Sequence, residues 1–310
     1  MYKTRIVFLF LIIIILSACA GGSENSQPES ESTSPVVVAE ITEVATEASE
    51  LTETPTTAPR PTLEADEWKT LPIVPAISDT ARVIYQRGLE IGNNPNAFSK
   101  VGDCQTSTDF FLVDFDYPDR YGLGEEYAEL QSTIDYYQGS FSRQSLAVKD
   151  GFNVAAVLSP LRADPKKCEM GESPLACEYR SYKPTVALIS METNFNQRSA
   201  DDYGKYLRLI VEYTISQGIV PVLANKAGNT EGDSGINAEI AKIANEYDIP
   251  MWNFWAAAYP LPNHGFDIGL DDGFHLSFSR NFFDKPGNML NAWPWRNLTA
   301  LQVLEAVRNG

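Results

Sequence analysis

The stretch PTVALIS at residues 184–190 decides the fold class, because it is an almost continuous apolar run of strand length. A continuous apolar run indicates a strand that is covered on both faces. Two similar runs follow at 219–224 and 250–255. The segments 201–217 and 236–247, which separate the three runs, have apolar residues at the spacing of an amphipathic helix. This alternation of strands and helices predicts an α/β domain with a parallel sheet and helices on both faces.

Further elements flank this unit. Helices are predicted at 79–91, 125–138 and 299–308, and a short strand at 97–101. In the first helix Asp79 is the expected cap, and Val83, Ile84 and Leu89 fall on one face. Functional residues of parallel sheets gather in the loops after the C-terminal ends of the strands. The loops after residues 101, 190, 224 and 255 are therefore the places to search.

The first 18 residues have the pattern of a secretory leader, with Lys3 and Arg5 before an apolar run that is too short to be a good membrane span. The sequence Leu-Ser-Ala-Cys at 16–19 resembles the bacterial lipobox, in which the leader is cut before the cysteine and the sulfur is acylated. We therefore expect export to the extracytoplasmic side of a bacterial membrane, with anchoring through the lipid on Cys19. An ordinary cleavable signal that happens to carry a cysteine is the alternative.

Residues 19–67 are rich in Ser, Thr, Glu and Pro and contain no aromatic residue, which predicts a disordered tether. The tether has eleven acidic residues and one basic residue, so it carries most of the formal net charge of −17. The acidity therefore says little about the substrate, but the lack of a basic patch argues against a nucleic-acid partner. Residues 68–310 hold every tryptophan and are long enough for a single core.

Three short motifs follow the predicted strands in an order typical of acyl-transfer enzymes. Gly102-Asp103-Cys104 follows the first strand, Asn194 follows the strand at 184–190, and Asp272 and His275 lie near the C-terminus in a D-x-x-H pattern. A nucleophile, an oxyanion donor and a base with its orienting carboxylate are the groups that acyl transfer needs.

These motifs resemble the blocks of the SGNH hydrolases, also called the GDSL family, over residues 93–277. The resemblance implies a flavodoxin-like three-layer α/β/α fold and hydrolysis of acyl or acetyl esters on glycans or lipids. It places Cys104 at the nucleophile, His275 at the base and Asp272 at its orienting carboxylate. Asn194 matches the oxyanion donor, and Gly151 is the best candidate for the backbone donor of the glycine block.

The chain departs from the family pattern in two places. Cys104 replaces the nucleophilic serine, and the Gly-x-Asn-Asp block reads Glu-Thr-Asn-Phe at 192–195, without its glycine and its aspartate. A thiol beside an imidazole is a competent nucleophile, so a Cys-His-Asp triad is one interpretation. The other is a catalytically inactive surface lipoprotein that binds glycan or a protein partner on an esterase scaffold.

The remaining cysteines bear on this choice. Cys168 and Cys177 lie nine residues apart in a loop containing proline and glycine, which favours a local disulfide in an exported protein. Pairing of Cys104 with either of them is the alternative, and it would block a nucleophile. Two histidines and one such cysteine pair do not form a zinc pattern, so neither a metal nor another cofactor is expected.

Several other features receive structural interpretations. His264 is expected to be a loop histidine, although a second base paired with Asp267 is the alternative. The aromatic cluster is expected to pack in the core rather than to bind sugar; it consists of Trp252, Phe254, Trp255 and Tyr259. The loop at 161–183 is a candidate cover for the cleft, and Asn297 is expected to cap the last helix. The oligomeric state has no signal in the sequence.

Overall fold

The central sheet forms around Pro184–Ser190, the strand predicted from its apolar sequence. The computed structural model describes residues 61–64, 66–191 and 199–310; the predicted leader, Cys19 and most of the predicted tether lie outside them. The strands are β1 (Asn94–Gly102), β2 (Tyr121–Gly122), β3 (Pro184–Ser190), β4 (Val220–Ala224), β5 (Met251–Trp252) and β6 (Asn281–Phe282). The α-helices are α1 (Asp79–Glu90), α2 (Gln131–Tyr136), α3 (Pro174–Tyr182), α4 (Ala200–Ser216), α5 (Gly235–Glu246), α6 (Phe254–Ala258) and α7 (Ala292–Asn309). Short 3-10 helices lie at Glu67–Thr70, Cys104–Thr106, Val113–Asp116, Ala128–Leu130, Ala156–Leu158, Pro160–Arg162, Pro262–Gly265 and Asn288–Leu290.

The sheet is parallel and has the strand order β1-β3-β4-β5. Gly102, the last residue of β1, pairs with Ser190 of β3 and forms a parallel bridge with Val148. The bridge lies on the edge of β1 opposite β3, so residues 147–149 occupy the position of one further strand. This is the strand order of flavodoxin-like folds. The predicted flavodoxin-like α/β class is therefore confirmed.

Burial explains why β3 lies in the middle of the sheet. All seven residues of β3 are buried, and so are all five of β4. Helices α3, α4 and α5 lie next to one another: Tyr179 of α3 hydrogen-bonds Thr214 of α4, and Arg208 of α4 pairs with Glu239 of α5. Helix α7 packs against α2, α6 and β5. Helices thus flank the sheet. Because they cover its strands, both faces of β3 and β4 can be apolar.

Helix α1 begins and packs differently from its prediction. Ser78 is its N-cap, with the hydroxyl oxygen accepting from the N–H of Ala81 at 3.1 Å, so the expected cap Asp79 is the first helical residue. Ile84 is buried as predicted, but Val83 is 68% exposed. The buried face instead follows the spacing Ala81, Ile84, Gly88, which matches 3.6 residues per turn.

The strand predicted at 250–255 is wrong beyond Trp252, because the chain turns into α6. Asn253 causes this turn: its side-chain oxygen caps α6 by accepting from Ala256 N, and its Nδ2 donates to the carbonyl of Trp68. The apolar pattern did not distinguish a strand from a short buried helix that follows it. Trp252 and Phe254 are fully buried, as expected for core residues, but the core prediction is wrong for Tyr259, which is 51% exposed.

Two segments have more helix than their sequence suggested. Helix α3 occupies part of the loop predicted at 161–183, with Ser173 capping it. Helix α7 begins at Ala292, so the prediction of Asn297 as a helix cap is wrong. Asn297 is buried inside α7, where its oxygen accepts from Leu112 N at 2.7 Å. In contrast, the helix predicted at 125–138 shortens to a 3-10 turn followed by α2.

The other predicted elements form close to their expected positions. Helices α4 and α5 each begin and end one residue earlier than predicted, and β4 begins one residue later. Strand β1 starts three residues earlier than predicted and ends at Gly102. In the described part of the chain, no helix is long and apolar enough to cross a membrane.

Candidate active site

Cys104 lies in a tight turn at the C-terminal end of β1. The side chain of Asp103 accepts a hydrogen bond from Gln105 N at 3.0 Å and so caps the single 3-10 turn Cys104–Thr106. The hydroxyl of Thr106 donates to the carbonyl of Ser190 at 2.8 Å, which ties the turn to the end of β3. These bonds give Cys104 a defined position at the edge of the sheet where functional residues gather.

Gly102 is required at this turn by a close approach of the chain. A Cβ at residue 102 would lie 2.0 Å from the carbonyl oxygen of Ser190 and 2.4 Å from the hydroxyl oxygen of Thr106. Both distances are far below van der Waals contact, so any side chain would push β1 and β3 apart. The glycine of the Gly-Asp-Cys motif is therefore explained by packing alone.

Asp272 and His275 form a hydrogen-bonded pair. Asp272 Oδ2 lies 2.6 Å from His275 Nδ1, while Asp272 Oδ1 accepts from the backbone N–H groups of Phe274 and His275 at 2.9 Å each. The hydrogen bonds to the Asp272 carboxylate, first that from the His275 backbone, lower the pKa of Asp272 to about 2. A carboxylate on Nδ1 directs the lone pair of a neutral imidazole to Nε2, the arrangement required of a general base.

The loop that carries this pair is fixed at its base. Phe266 and Leu276 form an antiparallel bridge, and Asp267 N donates to the carbonyl of His275 at 2.9 Å. Ser277 then holds the start of α7, where its hydroxyl oxygen accepts from Ala292 N at 2.9 Å. The side chain of His275 is 56% exposed, so a ligand can reach this side chain.

One hydrogen bond joins the cysteine turn to the histidine loop. Gln105 Nε2 donates to the carbonyl oxygen of Phe274 at 2.6 Å. Gln105 follows Cys104 directly, and Phe274 directly precedes His275. The structure thus brings the predicted nucleophile turn and the predicted base loop together, although 171 positions separate Cys104 from His275 in the chain.

Of the two predicted oxyanion donors, one lies within the described residues. Asn194 lies outside the described residues. Gly151 follows the segment 147–149 that pairs with the end of β1, and its φ of +74° favours glycine. Gly151 therefore emerges at the same edge of the sheet as Cys104, within a turn in which Phe152 N donates to the carbonyl of Lys149.

Of the two cysteine pairings considered, the structure contains the local one. Cys168 and Cys177 form a disulfide with a Cα–Cα distance of 5.2 Å, which confirms that prediction. Among the described cysteines, Cys104 is the one outside a disulfide, and it is partly exposed. Cys168, Cys177 and Glu172 are also the one group of three potential metal ligands in the described residues. Both sulfur atoms are bonded to each other there, so they do not act as thiolate ligands.

The contacts of His264 are those of a structural residue rather than of a second catalytic base. Its ring stacks on Tyr259 at 4.5 Å, and its Nδ1 lies 2.8 Å from the carbonyl oxygen of Tyr259. Asp267, the carboxylate proposed as its partner, instead accepts backbone N–H groups from Gly269 and Leu270.

Three residues that shape this site were not predicted from the sequence. Gln105 joins the two loops, Gly228 lies against the carbonyl of Gly273, and Arg296 donates to the carbonyl of Gln105 at 3.2 Å. Arg296 had a detectable signal, because it is a charged residue inside the apolar and aromatic start of α7. Gln105 and Gly228 had no signal, since their roles depend on contacts between distant loops.

No protein-family model matches the chain, and no curated protein matches its sequence.

Proposed function

We propose that this chain is a lipid-anchored, extracytoplasmic hydrolase of the SGNH type that cleaves esters through Cys104, His275 and Asp272. The observation that carries the proposal is the hydrogen bond from Gln105 to Phe274, which joins the turn of the cysteine to the loop of the Asp-His pair. A nucleophile, a base and an orienting carboxylate are the minimum set for nucleophilic acyl transfer.

The proposed reaction has two steps. His275 Nε2 accepts the thiol proton as the sulfur of Cys104 attacks the acyl carbon, and the carbonyl oxygen becomes an oxyanion. Collapse expels the alcohol, which takes the proton from His275, and leaves a thioester on Cys104. Water then attacks the thioester while His275 takes its proton and returns it to the sulfur, so the carboxylic acid is released. Gly151 and Asn194 are the proposed oxyanion donors.

An apolar rim beside these loops favours an ester with an apolar acyl group. The rim consists of Phe110, Phe278 and Trp293: the ring of Phe110 lies 5.4 Å from that of Phe278 and 5.3 Å from that of Trp293. Phe110 and Phe278 are 46% and 58% exposed, so their rings are available to a ligand. Phe110 follows the Cys104 turn closely in the sequence and Phe278 lies three residues after His275, so we propose that the rim borders the candidate site.

The catalytic proposal is tested with five proteins assayed on aryl esters: wild type, Cys104→Ala, Cys104→Ser, His275→Ala and the control His264→Ala. Wild-type hydrolysis that falls to background in Cys104→Ala and His275→Ala supports the proposal. His264→Ala is the matched control, because this second histidine has structural contacts, and it should retain the wild-type rate. Activity that is absent in wild type and present in Cys104→Ser would mean that the thiol silences an esterase scaffold. Inactivity of all the proteins would favour the glycan- or protein-binding alternative.

The rim is tested by varying the acyl length. Removing one ring of the rim should lower kcat/KM for an octanoyl ester by about tenfold, because burial of apolar surface of this size is worth roughly 1.5 kcal/mol. Phe110→Ala and Phe278→Ala should leave the acetyl ester almost unaffected. Leu209→Ala, an exposed apolar residue on α4, is the control. An equal loss on both esters would argue against an acyl-binding role.

A further inference from the structure

Arg296 of α7 is a fully buried cation directly beneath the turn that carries Cys104. Its exposed fraction is 0%, and it belongs to the largest buried side chains of the domain. Burial of a charge is expensive unless the surroundings compensate it. A guanidinium at this position must therefore be stabilised by the groups around it.

Within the described part of the chain, the hydrogen bonds and ring contacts of Arg296 are with neutral groups. Its Nε donates to the carbonyl oxygen of Gln105 at 3.2 Å, and its Nη2 donates to the hydroxyl oxygen of Ser190 at 2.9 Å. The ring centres of Phe111, Trp252 and Phe254 lie 4.8–5.1 Å from the guanidinium carbon. Hydrogen bonds and ring faces thus hold the group in place, but neither carries a formal negative charge.

Among the residues that the structure describes, the groups whose negative charge would attract Arg296 lie in the nucleophile turn. Burial lowers the pKa of Arg296 to about 10, while attraction to Asp103 and to Cys104 raises it. Even at this value the guanidinium is protonated at neutral pH. Attraction between two groups is mutual, so a cation that is favoured by an ionised Cys104 also favours the ionised sulfur. Because Arg296 is buried, water and salt screen this effect little.

We propose that Arg296 is a positioning residue for Cys104, which orients the turn through Gln105 and favours the thiolate form of the sulfur by its buried positive charge. The inference rests on the proposed function only in taking Cys104 as the nucleophile. In the described ranges, the other charged groups at this turn are Asp103, whose carboxylate opposes the thiolate, and His275 of the adjoining loop. A thiol in place of serine makes such a cation useful, because the thiolate is the reactive form.

The test measures the pH dependence of Cys104 alkylation by iodoacetamide in the full-length chain. The peptide that contains Cys104 is quantified by mass spectrometry, so Cys19 does not interfere and the two disulfide cysteines are unreactive. Arg296→Met should raise the midpoint of the rate profile by about one pH unit, which lowers the rate at pH 6.5 about tenfold. Arg296→Lys, which keeps the charge, should restore most of that loss.

Lys100→Met is the matched control, because Lys100 is another buried basic residue that donates to a carbonyl, that of Phe141. It should leave the alkylation midpoint in place. A purely structural Arg296 would lower the melting temperature in Arg296→Met without moving the midpoint, and that result would overturn the inference. Should Arg296→Met fail to fold, Arg296→Gln, which is neutral and retains a hydrogen-bond donor, carries the same expectation. Because alkylation needs no substrate, failure of the ester assays does not affect this outcome.

Discussion

At the scale of single residues, the domain contains buried charges whose surroundings differ in kind. Glu178 is fully buried, and its carboxylate accepts from Ser99, from Leu146 N and from Arg143, so its charge is fully compensated. Lys100 is equally buried, yet its Nζ donates to the carbonyl of Phe141 at 2.7 Å. Burial, and next the charge of Arg143, lower the pKa of Lys100 to about 7, with attraction to Glu178 and Asp116 opposing them.

We predict that Lys100 makes stability rise with pH. Its pKa is lower in the folded chain than in the unfolded chain, so between pH 7 and pH 10 the unfolded state binds more protons. The free energy of unfolding should therefore increase by about 2 kcal/mol from pH 7 to pH 9 through this group, since one pKa unit corresponds to about 1.4 kcal/mol. Lys100→Met should remove this increment, as measured by urea denaturation at both pH values.

The comparison of the two proteins isolates Lys100 from the other groups that titrate in this range. The unfolding free energy of Lys100→Met minus that of wild type should fall by about 2 kcal/mol between pH 7 and pH 9, because only the wild type gains stability through this group. A difference that does not change with pH would show that Lys100 keeps its ordinary pKa in the folded chain.

At the scale of elements, the candidate site depends on loops that follow different strands and touch one another. Gly228, in the loop after β4, lies where an added Cβ would be 3.0 Å from the carbonyl oxygen of Gly273. Gly273 sits between Asp272 and His275, in the left-handed region with a φ of +63°. The loop after β4 thus limits how far the Asp-His loop can move toward the sheet.

We predict that Gly228→Ala lowers ester hydrolysis about tenfold or more while it changes the melting temperature little. The added methyl group would displace the exposed Asp-His loop by a few tenths of an ångström, and catalysis is sensitive to small errors of position. Gly287→Ala is the control, because a Cβ there meets nothing within 4 Å. Equal activity of both variants would mean that the loop after β4 does not position His275.

At the scale of the whole domain, the segment before α1 is part of the core rather than a loose extension. Trp68 is 2% exposed and packs edge-to-face on Trp255 with ring centres 5.1 Å apart. The carbonyl of Trp68 accepts from Asn253 Nδ2, and Asn253 N donates to the carbonyl of Ile73. Further back, Asn245 of α5 donates to the carbonyl of Pro61 at 2.8 Å. The chain is therefore fastened to the domain from residue 61 onward.

We predict that Trp68→Ala lowers the free energy of unfolding by about 3–5 kcal/mol, the usual cost of removing a buried tryptophan side chain. The measurement is urea denaturation monitored by circular dichroism. Lys69→Ala serves as the control, because its ion pair with Asp66 is exposed and is worth about 1 kcal/mol or less. Similar costs for both variants would contradict the view that this segment completes the core.

The elements of this fold differ in how far their sequences predict them. Strand β3 was predictable because both of its faces are covered, so nearly all of its residues are apolar. The end of β5 was not, because the apolar run continues through Trp252 into α6 and the turn depends on hydrogen bonds of Asn253. The face of α1 was only partly predictable, since Val83 is apolar and exposed.

For the candidate site, the sequence by itself determined the residue types and their order: Cys104 after the first strand, then Asp272 and His275 near the C-terminus. It favoured the local disulfide over pairing with Cys104. A short motif contains its own geometry, which is why Asp272 and His275, three residues apart, could be paired from the sequence. Only the tertiary structure decided that the turn of Cys104 adjoins the loop of His275, and that Arg296 lies buried beneath it. Such contacts join residues far apart in the chain, and their distances depend on the packing of the whole sheet and its helices.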